Sequence, residues 1–266
     1  MAIKIVLGGS EGRMGNEIRK LIPESGFEAV CHIDPLREDG WKSVEEYCSS
    51  AHRQLAEPDV YIDFTTPKTV VDNVRTVSKA GIDSVIGTTG WYDRMQEVED
   101  IAKEYERIIL YPLGNFSIGA NAYIWALRHL SRILGGYDFD AAEVEFHHKD
   151  KADSPSGTAI KAANGLLGLP GKEKLTHVRY GKDAKRSGSE IDVMGLRVGS
   201  VTGRHETIFS PNAGDYERLQ ITHDAYNREV FARPALFVAV PWIYTARQEG
   251  MKPGVYEFSR DVLGLK

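Results

Sequence analysis

Ile3-Lys4-Ile5-Val6-Leu7-Gly8-Gly9-Ser10-Glu11-Gly12-Arg13-Met14-Gly15 is the stretch on which the fold turns. An apolar run ends in glycine and opens onto an amphipathic stretch from Gly15 to Ile22. Gly9, Gly12 and Gly15 fall three residues apart. Glycine lets the backbone turn sharply and approach a pyrophosphate closely. The helix N-terminus beyond it offers unpaired N–H groups and the positive end of a dipole. The spacing is Gly-x-x-Gly-x-x-Gly, a variant of the dinucleotide-binding Gly-x-Gly-x-x-Gly loop.

Downstream the chain keeps alternating. Apolar runs at Ile3 to Leu7, Glu28 to Ile33, Val60 to Phe64, Ser84 to Ile86 and Ile108 to Tyr111 read as strands. Amphipathic stretches near Gly15 to Ile22, Ser43 to Leu55, Val70 to Ala80 and Tyr92 to Tyr105 read as helices. Strands separated by helices imply right-handed crossovers and a parallel sheet covered on both faces. The expected class is α/β, a Rossmann-like doubly wound parallel sheet. Asp34 closes the second strand, nineteen residues after Gly15. An acid there accepts hydrogen bonds from adenosine ribose hydroxyls and repels a 2′-phosphate, which favours NADH over NADPH. Arg37 lies near enough to offset that repulsion in part. Phe64-Thr65-Thr66-Pro67, Gly87-Thr88-Thr89-Gly90 and Gly114-Asn115-Phe116-Ser117 follow the later strands. Strand carboxyl ends are where such sheets bind ligands.

After about residue 118 the pattern changes. A helix is expected from Ala120 to Leu134, closed by Gly135-Gly136, then a strand from Ala141 to Phe146 and a helix from Pro155 to Leu167. From Leu175 to Asp224 the chain reads as successive strands, among them Glu190 to Arg197, Glu206 to Phe209 and Arg218 to Thr222. Strands without intervening helices favour an antiparallel or mixed sheet, so residues 119–228 read as an α+β domain beside a nucleotide-binding domain over 1–118. The stretch Val230 to Tyr244 is helical in pattern but carries Pro234 and Pro241, which predict a kink or a break.

The 266 residues carry 33 Lys and Arg against 38 Asp and Glu, a net charge of −5. No overall basic field attracts nucleic acid or an anionic membrane, so an anionic ligand needs a local positive cluster. No apolar run reaches the ~18 residues of a membrane span. The N-terminus has no signal-peptide layout, and the cytoplasm is the expected compartment. Cys31 and Cys48 lack metal or redox spacing and read as unpaired, small core residues.

The local cluster is Glu145-Phe146-His147-His148-Lys149-Asp150-Lys151-Ala152-Asp153-Ser154-Pro155-Ser156-Gly157-Thr158-Ala159. Two histidines end a strand, lysines follow, and Ser-Pro-Ser-Gly-Thr opens a helix whose first N–H groups suit a carboxylate. Histidine and lysine supply positive charge and transferable protons. Adjacent strand residues point to opposite faces, so His147 and His148 do not ligate one metal ion together, and no metal is expected.

This segment resembles the signature of the 4-hydroxy-tetrahydrodipicolinate reductase (dihydrodipicolinate reductase) family, Glu-x-His-His-x-x-Lys-x-Asp-x-Pro-Ser-Gly-Thr-Ala, at every fixed position. The resemblance extends to the Gly-Arg-Met-Gly loop, Asp63-Phe64-Thr65, Gly87 to Gly90, Asn115 to Gly119, Glu217-Arg218, Ile221-Thr222-His223 and Asp261-Val262-Leu263. It implies an NAD(P)H-dependent oxidoreductase of lysine and diaminopimelate biosynthesis acting on a small dicarboxylate. By position it implies His147 as acid/base, Lys151 as proton donor, and His148, Gly157 and Thr158 as substrate-binding residues. Cofactor falls to Gly9, Ser10, Glu11, Gly12, Arg13, Met14, Asp34, Gly87, Thr88, Thr89, Leu113, Gly114, Asn115 and Phe116. It further implies that about 229–266 complete the nucleotide domain, that 119–228 bind substrate and drive oligomerisation, and that the enzyme is a homotetramer. The chain departs from the family at Ser10-Glu11, where small residues are common, at Leu113-Gly114, and at Arg204, where the family usually has Glu. Two other readings stay open: another NAD(P)-dependent amino-acid dehydrogenase, and a non-catalytic nucleotide-sensing protein on the same fold.

Overall fold

The computed structural model describes residues 2–38, 40–177, 185–214 and 216–266. Residues 178–184 and 215, part of the strand-rich stretch expected from Leu175 to Asp224, lie outside the described residues. The chain forms two compact units, Met1–Ser117 with Arg228–Gly264, and Ile118–Asn227 with Leu265–Lys266.

The first unit runs β1 (Lys4–Gly8), α1 (Arg13–Ser25), β2 (Glu28–Ile33), α2 (Val44–Cys48), α3 (Ala51–Ala56), β3 (Val60–Asp63), α4 (Val70–Lys79), β4 (Asp83–Ile86), α5 (Met95–Glu104) and β5 (Ile108–Tyr111). Its six-stranded sheet has the order β11-β5-β4-β3-β1-β2, where β11 is Gly254–Glu257, and every pairing is parallel. The chain steps from β1 to β2 on one side and then to β3 on the other, so the order reverses at β1. Alternation along the strands feeds two faces. Ile5, Leu7, Ile62, Ile108 and Leu110 pack with Ile18 and Leu21 of α1 and with the C-terminal helices. Val6, Tyr61 and Ile82 pack with Val44, Tyr47 and Val77, and Ile86 and Ile109 with Val70, Val74, Val98 and Ile101.

Three expectations are corrected here. The helix expected from Ser43 to Leu55 is split into α2 and α3. Ser50 turns its hydroxyl back onto Tyr47 O at 2.6 Å, a local bond that competes with helix propagation. Of the kink or break expected in the proline-bearing stretch, the break does not occur. Residues 229–248 stay helical because Ala235–Ala239 form a π-turn between Pro234 and Pro241, so the wider ladder absorbs the missing donors. Cys48 is only half-buried, whereas Cys31 is buried and burial pushes its thiol up to about 12.

The second unit runs α6 (Ile118–Leu134), β6 (Phe139–His147), α7 (Gly157–Leu166), β7 (Lys174–Thr176), β8 (Glu190–Arg197), β9 (Gly203–Pro211) and β10 (Leu219–Ala225). The C-terminal helices α8 (Glu229–Pro234) and α9 (Val240–Gln248) then return to the first unit. The five-stranded sheet is mixed, ordered β10-β9-β6-β8-β7, with β6 parallel to β8 and antiparallel to β9. Tyr123 and Leu127 of α6 and Ala159, Ala162, Ala163 and Leu166 of α7 cover one face of it. The small alanines let α7 lie close to the strands.

Candidate active site

All five loops singled out by sequence in the first unit leave the carboxyl ends of parallel strands, and so share one edge of the sheet. Gly9 has φ +75°, and a Cβ there would strike the backbone of Phe64. A Cβ on Gly15 would strike Gly9 O and Ser10, which is what allows α1 to start so close to the loop. Gly12 caps α1 in extended conformation with no side-chain cap, leaving the first-turn N–H groups available. The buried hydroxyl of Ser10 has no hydrogen-bond partner among the described residues. An orphaned hydroxyl beside uncapped N–H groups fits an anionic, oxygen-rich group such as a pyrophosphate.

Asp34 is buried at the end of β2 and does structural work. Its Oδ2 accepts the Glu11 N–H at 3.0 Å and its Oδ1 the Leu36 N–H at 2.9 Å, which ties the glycine loop to the turn after β2. At the next strand ends Asp63, fully buried, accepts from Tyr61 Oη, Thr65 N, Thr65 Oγ1 and Thr88 Oγ1 at 2.6–3.0 Å. The Thr88 hydroxyl is therefore turned inward, while Gly87 and Thr89 are accessible. Leu113 is exposed, Gly114 has φ +121°, and Asn115 Oδ1 accepts the Ser117 N–H at 2.9 Å. Arg13 is exposed and Met14 packs against the core. The Phe116 ring belongs to the core, edge-on to Phe258 at 4.9 Å between centroids, so this residue offers a ligand only its backbone.

In the second unit the basic segment forms a strand end, a turn and a helix start. His147 ends β6, the Lys151 N–H donates to His148 O at 3.2 Å, and α7 begins at Gly157. The expected start at Pro155 moves to Gly157 because Ser156 takes the cap, its hydroxyl accepting the Ala159 N–H at 3.2 Å. The N–H groups of Gly157 and Thr158 lie outside the helical ladder, Gly157 is exposed, and Thr158 is half-buried. His148 is half-buried and Lys149 exposed. Lys151 Nζ pairs with Asp153, which is 57 % exposed.

Sequence reasoning missed the group that organises this turn. Glu145 is fully buried on the helix-covered face of β6. Its Oε1 accepts the Ser156 N–H at 2.8 Å and lies 3.4 Å from Arg197 Nη1, and its Oε2 lies 3.3 Å from His147 Nε2. Burial alone would raise its pKa, but the bonds from His147 and Ser156 outweigh that and hold it at about 2. His147 Nδ1 meets Thr202 O at 2.8 Å. The ring is thus fixed by the backbone through Nδ1 and presents Nε2 to the Glu145 carboxylate. Arg197 also reaches Lys151 O at 3.4 Å and Asp153 O, so one guanidinium binds the turn to Glu145. Gly195 makes room for this: a Cβ there would strike Ser154 Oγ and come within 3.0 Å of Glu145 Oε1. No local pattern reveals these partners, because they come from β8, the turn before β9 and the cap of α7.

A ring nitrogen of His205, opposite Glu145 on β9, lies within 4.8 Å of the Glu145 and His147 ligand atoms. Glu145 already pairs with Arg197 and accepts the Ser156 N–H. Behind it Glu143 Oε2 accepts from Tyr123 Oη at 2.6 Å and from Thr207, and its Oε1 lies 3.3 Å from His205 Nδ1.

Residues 3–113 match the family model described as dihydrodipicolinate reductase, N-terminus, and residues 119–263 the one described as its C-terminus. Curated relatives include 4-hydroxy-tetrahydrodipicolinate reductase of Methanocaldococcus jannaschii, 34 % identical over 99 % of this chain and 98 % of that protein. The protein of the same name in Methanopyrus kandleri is 36 % identical over 98 % of this chain and 96 % of its own length. Among solved structures, dipicolinate-bound dihydrodipicolinate reductase from Paenisporosarcina sp. TG-14 shares the fold, with a TM-score of 0.73 at 21 % identity over 98 % of this chain and 100 % of that one.

Proposed function

This chain belongs to the dihydrodipicolinate reductase family, and on that premise we propose how its own residues carry the family's reaction. The enzyme is an NAD(P)H-dependent oxidoreductase that reduces 4-hydroxy-tetrahydrodipicolinate to tetrahydrodipicolinate in diaminopimelate and lysine biosynthesis. When bound, the reduced nicotinamide supplies the hydride. The substrate ring carries two carboxylates. The N–H groups of Gly157 and Thr158 hold one, and His148 with Lys149 neutralises the other. Lys151 gives the proton: its Asp153 partner is largely in solvent and is readily exchanged for substrate. His147, held between Glu145 and Thr202, is the acid/base residue that assists Lys151 as reduction pushes electrons towards the ring nitrogen. The observation that carries this assignment is the cluster in which buried Glu145 meets His147 and Arg197 and accepts the Ser156 N–H at the start of α7.

Gly9 to Met14, Asp34, Gly87, Thr89 and the backbone of Leu113 to Phe116 hold the dinucleotide, with NADH the preferred form and Asp34 fixing the glycine loop against the turn after β2. The cytoplasm is the compartment this reading implies, in keeping with two free cysteines. Absorbance at the reduced-nicotinamide band, followed with freshly generated substrate, is expected to fall only when substrate, dinucleotide and enzyme are all present. Absence of substrate-dependent consumption with either dinucleotide defeats the assignment.

The same reading makes the enzyme a homotetramer. The sheet face opposite α6 and α7 is left with Met194 at 40 % and Leu196 at 42 % exposure, beside Val144, Phe146 and Ile208. A sheet face of that composition is an association surface. Light scattering on the eluting protein is expected to give about four times the chain mass of 29.6 kDa, and a monomer at micromolar concentration contradicts this.

A further inference from the structure

Glu11 stands where a dinucleotide loop normally keeps a small residue, and its side chain has a defined place. Its Oε1 meets Arg37 Nη1 at 2.8 Å and also Arg19 Nη1. Arg19 comes from the second turn of α1 and Arg37 from the turn after β2. Two guanidinium groups converging on one oxygen is the arrangement that recognises phosphate monoesters. The guanidinium groups lie past the end of β2, where the adenosine ribose of a dinucleotide falls in this fold. Asp34 is not the residue that frees or fills this clamp, because both its oxygens already hold backbone N–H groups of the loop. Glu11 is different. Its side chain is 26 % exposed, and its place in the loop is held by its backbone N–H on Asp34 rather than by its carboxylate.

We infer that the Arg19–Arg37 pair is an acceptor for a phosphate monoester on the adenosine 2′-position, and that Glu11 is the internal anion occupying it. This rests on the dinucleotide reading above and deepens it: Glu11 sets the choice between the two cofactors. NADH leaves the Glu11 pair intact. NADPH binds only by exchanging its 2′-phosphate, with about −1.5 to −2 charges, for the Glu11 carboxylate. The chain therefore discriminates against NADPH although it carries the arginines that would hold it.

The test is equilibrium binding to the full chain by calorimetry and by reduced-nicotinamide fluorescence. The ligands are NADH, NADPH, 5′-AMP and adenosine 2′,5′-bisphosphate, and the proteins are wild type, Glu11→Gln and Glu11→Gln/Arg37→Gln. Removing the internal anion is expected to raise the NADPH-to-NADH affinity ratio about tenfold or more, the scale of one charge-assisted hydrogen bond. The bisphosphate-to-AMP ratio rises alongside, and adding Arg37→Gln abolishes both gains. Unchanged ratios overturn the inference while leaving the dinucleotide reading standing. So does equal tightening of both cofactors, which would mean that Glu11 only repels the shared pyrophosphate. A gain for the bisphosphate in a protein that binds neither dinucleotide keeps the clamp and removes the cofactor reading. No binding by any protein removes both. Melting temperatures of the two ligand-free variants equal to that of the wild type establish that they are folded.

Discussion

Lys151→Ala is expected to lower kcat by about 10²–10⁴-fold, the usual contribution of a positioned proton donor. Its stability should hardly change. The ion pair lost is with Asp153, more than half exposed, and such pairs contribute about 0–1 kcal/mol. A collapse of turnover with an unaltered thermal melt thus separates a chemical role from a structural one. Lys151→Arg keeps the charge without an easily surrendered proton, so it should restore substrate affinity more than kcat. Steady-state kinetics on the three proteins decides the matter. Turnover within about threefold of wild type in Lys151→Ala would take the proton from another group, and His147 is then the candidate.

Glu145→Gln is expected to be the most destabilising conservative change in the second unit, by about 3 kcal/mol at neutral pH. Glutamine fits the space but leaves the Arg197 guanidinium without the carboxylate it pairs with. The loss has a pH signature. A carboxyl held at about 2 instead of 4.5 contributes its full stabilisation above pH 4.5 and loses it as pH falls towards 2. Urea unfolding of the two proteins should show a gap that is constant from pH 7 to 5 and closes progressively below 4.5. A gap that stays open to pH 3 would mean that shape, and not charge, explains the effect of the change.

Much of this was legible in particular residues. Gly9, Gly12 and Gly15 announced the loop because only glycine tolerates the φ at Gly9 and the crowding at Gly15. The period-two and helical patterns gave β1 to β5 because each strand is flanked by its own crossover helix. β11 was not legible from its own residues. Gly254 to Glu257 is a four-residue run whose partner, Ile108 to Tyr111, is far away in sequence, and nothing local signals the pairing. The π-turn between Pro234 and Pro241 escaped because proline rules speak of the α-ladder and not of the wider one. Phe116 read as a ligand-facing loop residue, but its ring packs on Phe258, which belongs to the returning C-terminal segment.

The amino-acid order alone determined the layered parallel sheet, the position of the glycine loop and the segment from His147 to Thr158, since these depend on backbone freedom and periodicity over a few neighbouring residues. Tertiary structure alone decided which acids do what. Glu145 and Glu143 are surface-type residues in a linear reading. They become the buried anchors of the second unit because β8, β9 and the cap of α7 bring Arg197, His205, Thr207 and Ser156 around them. Likewise Glu11 becomes an internal anion only because α1 and the turn after β2 bring two arginines together. A buried or paired charge takes its meaning from partners distant in sequence, and the chain reveals those partners only once it is folded.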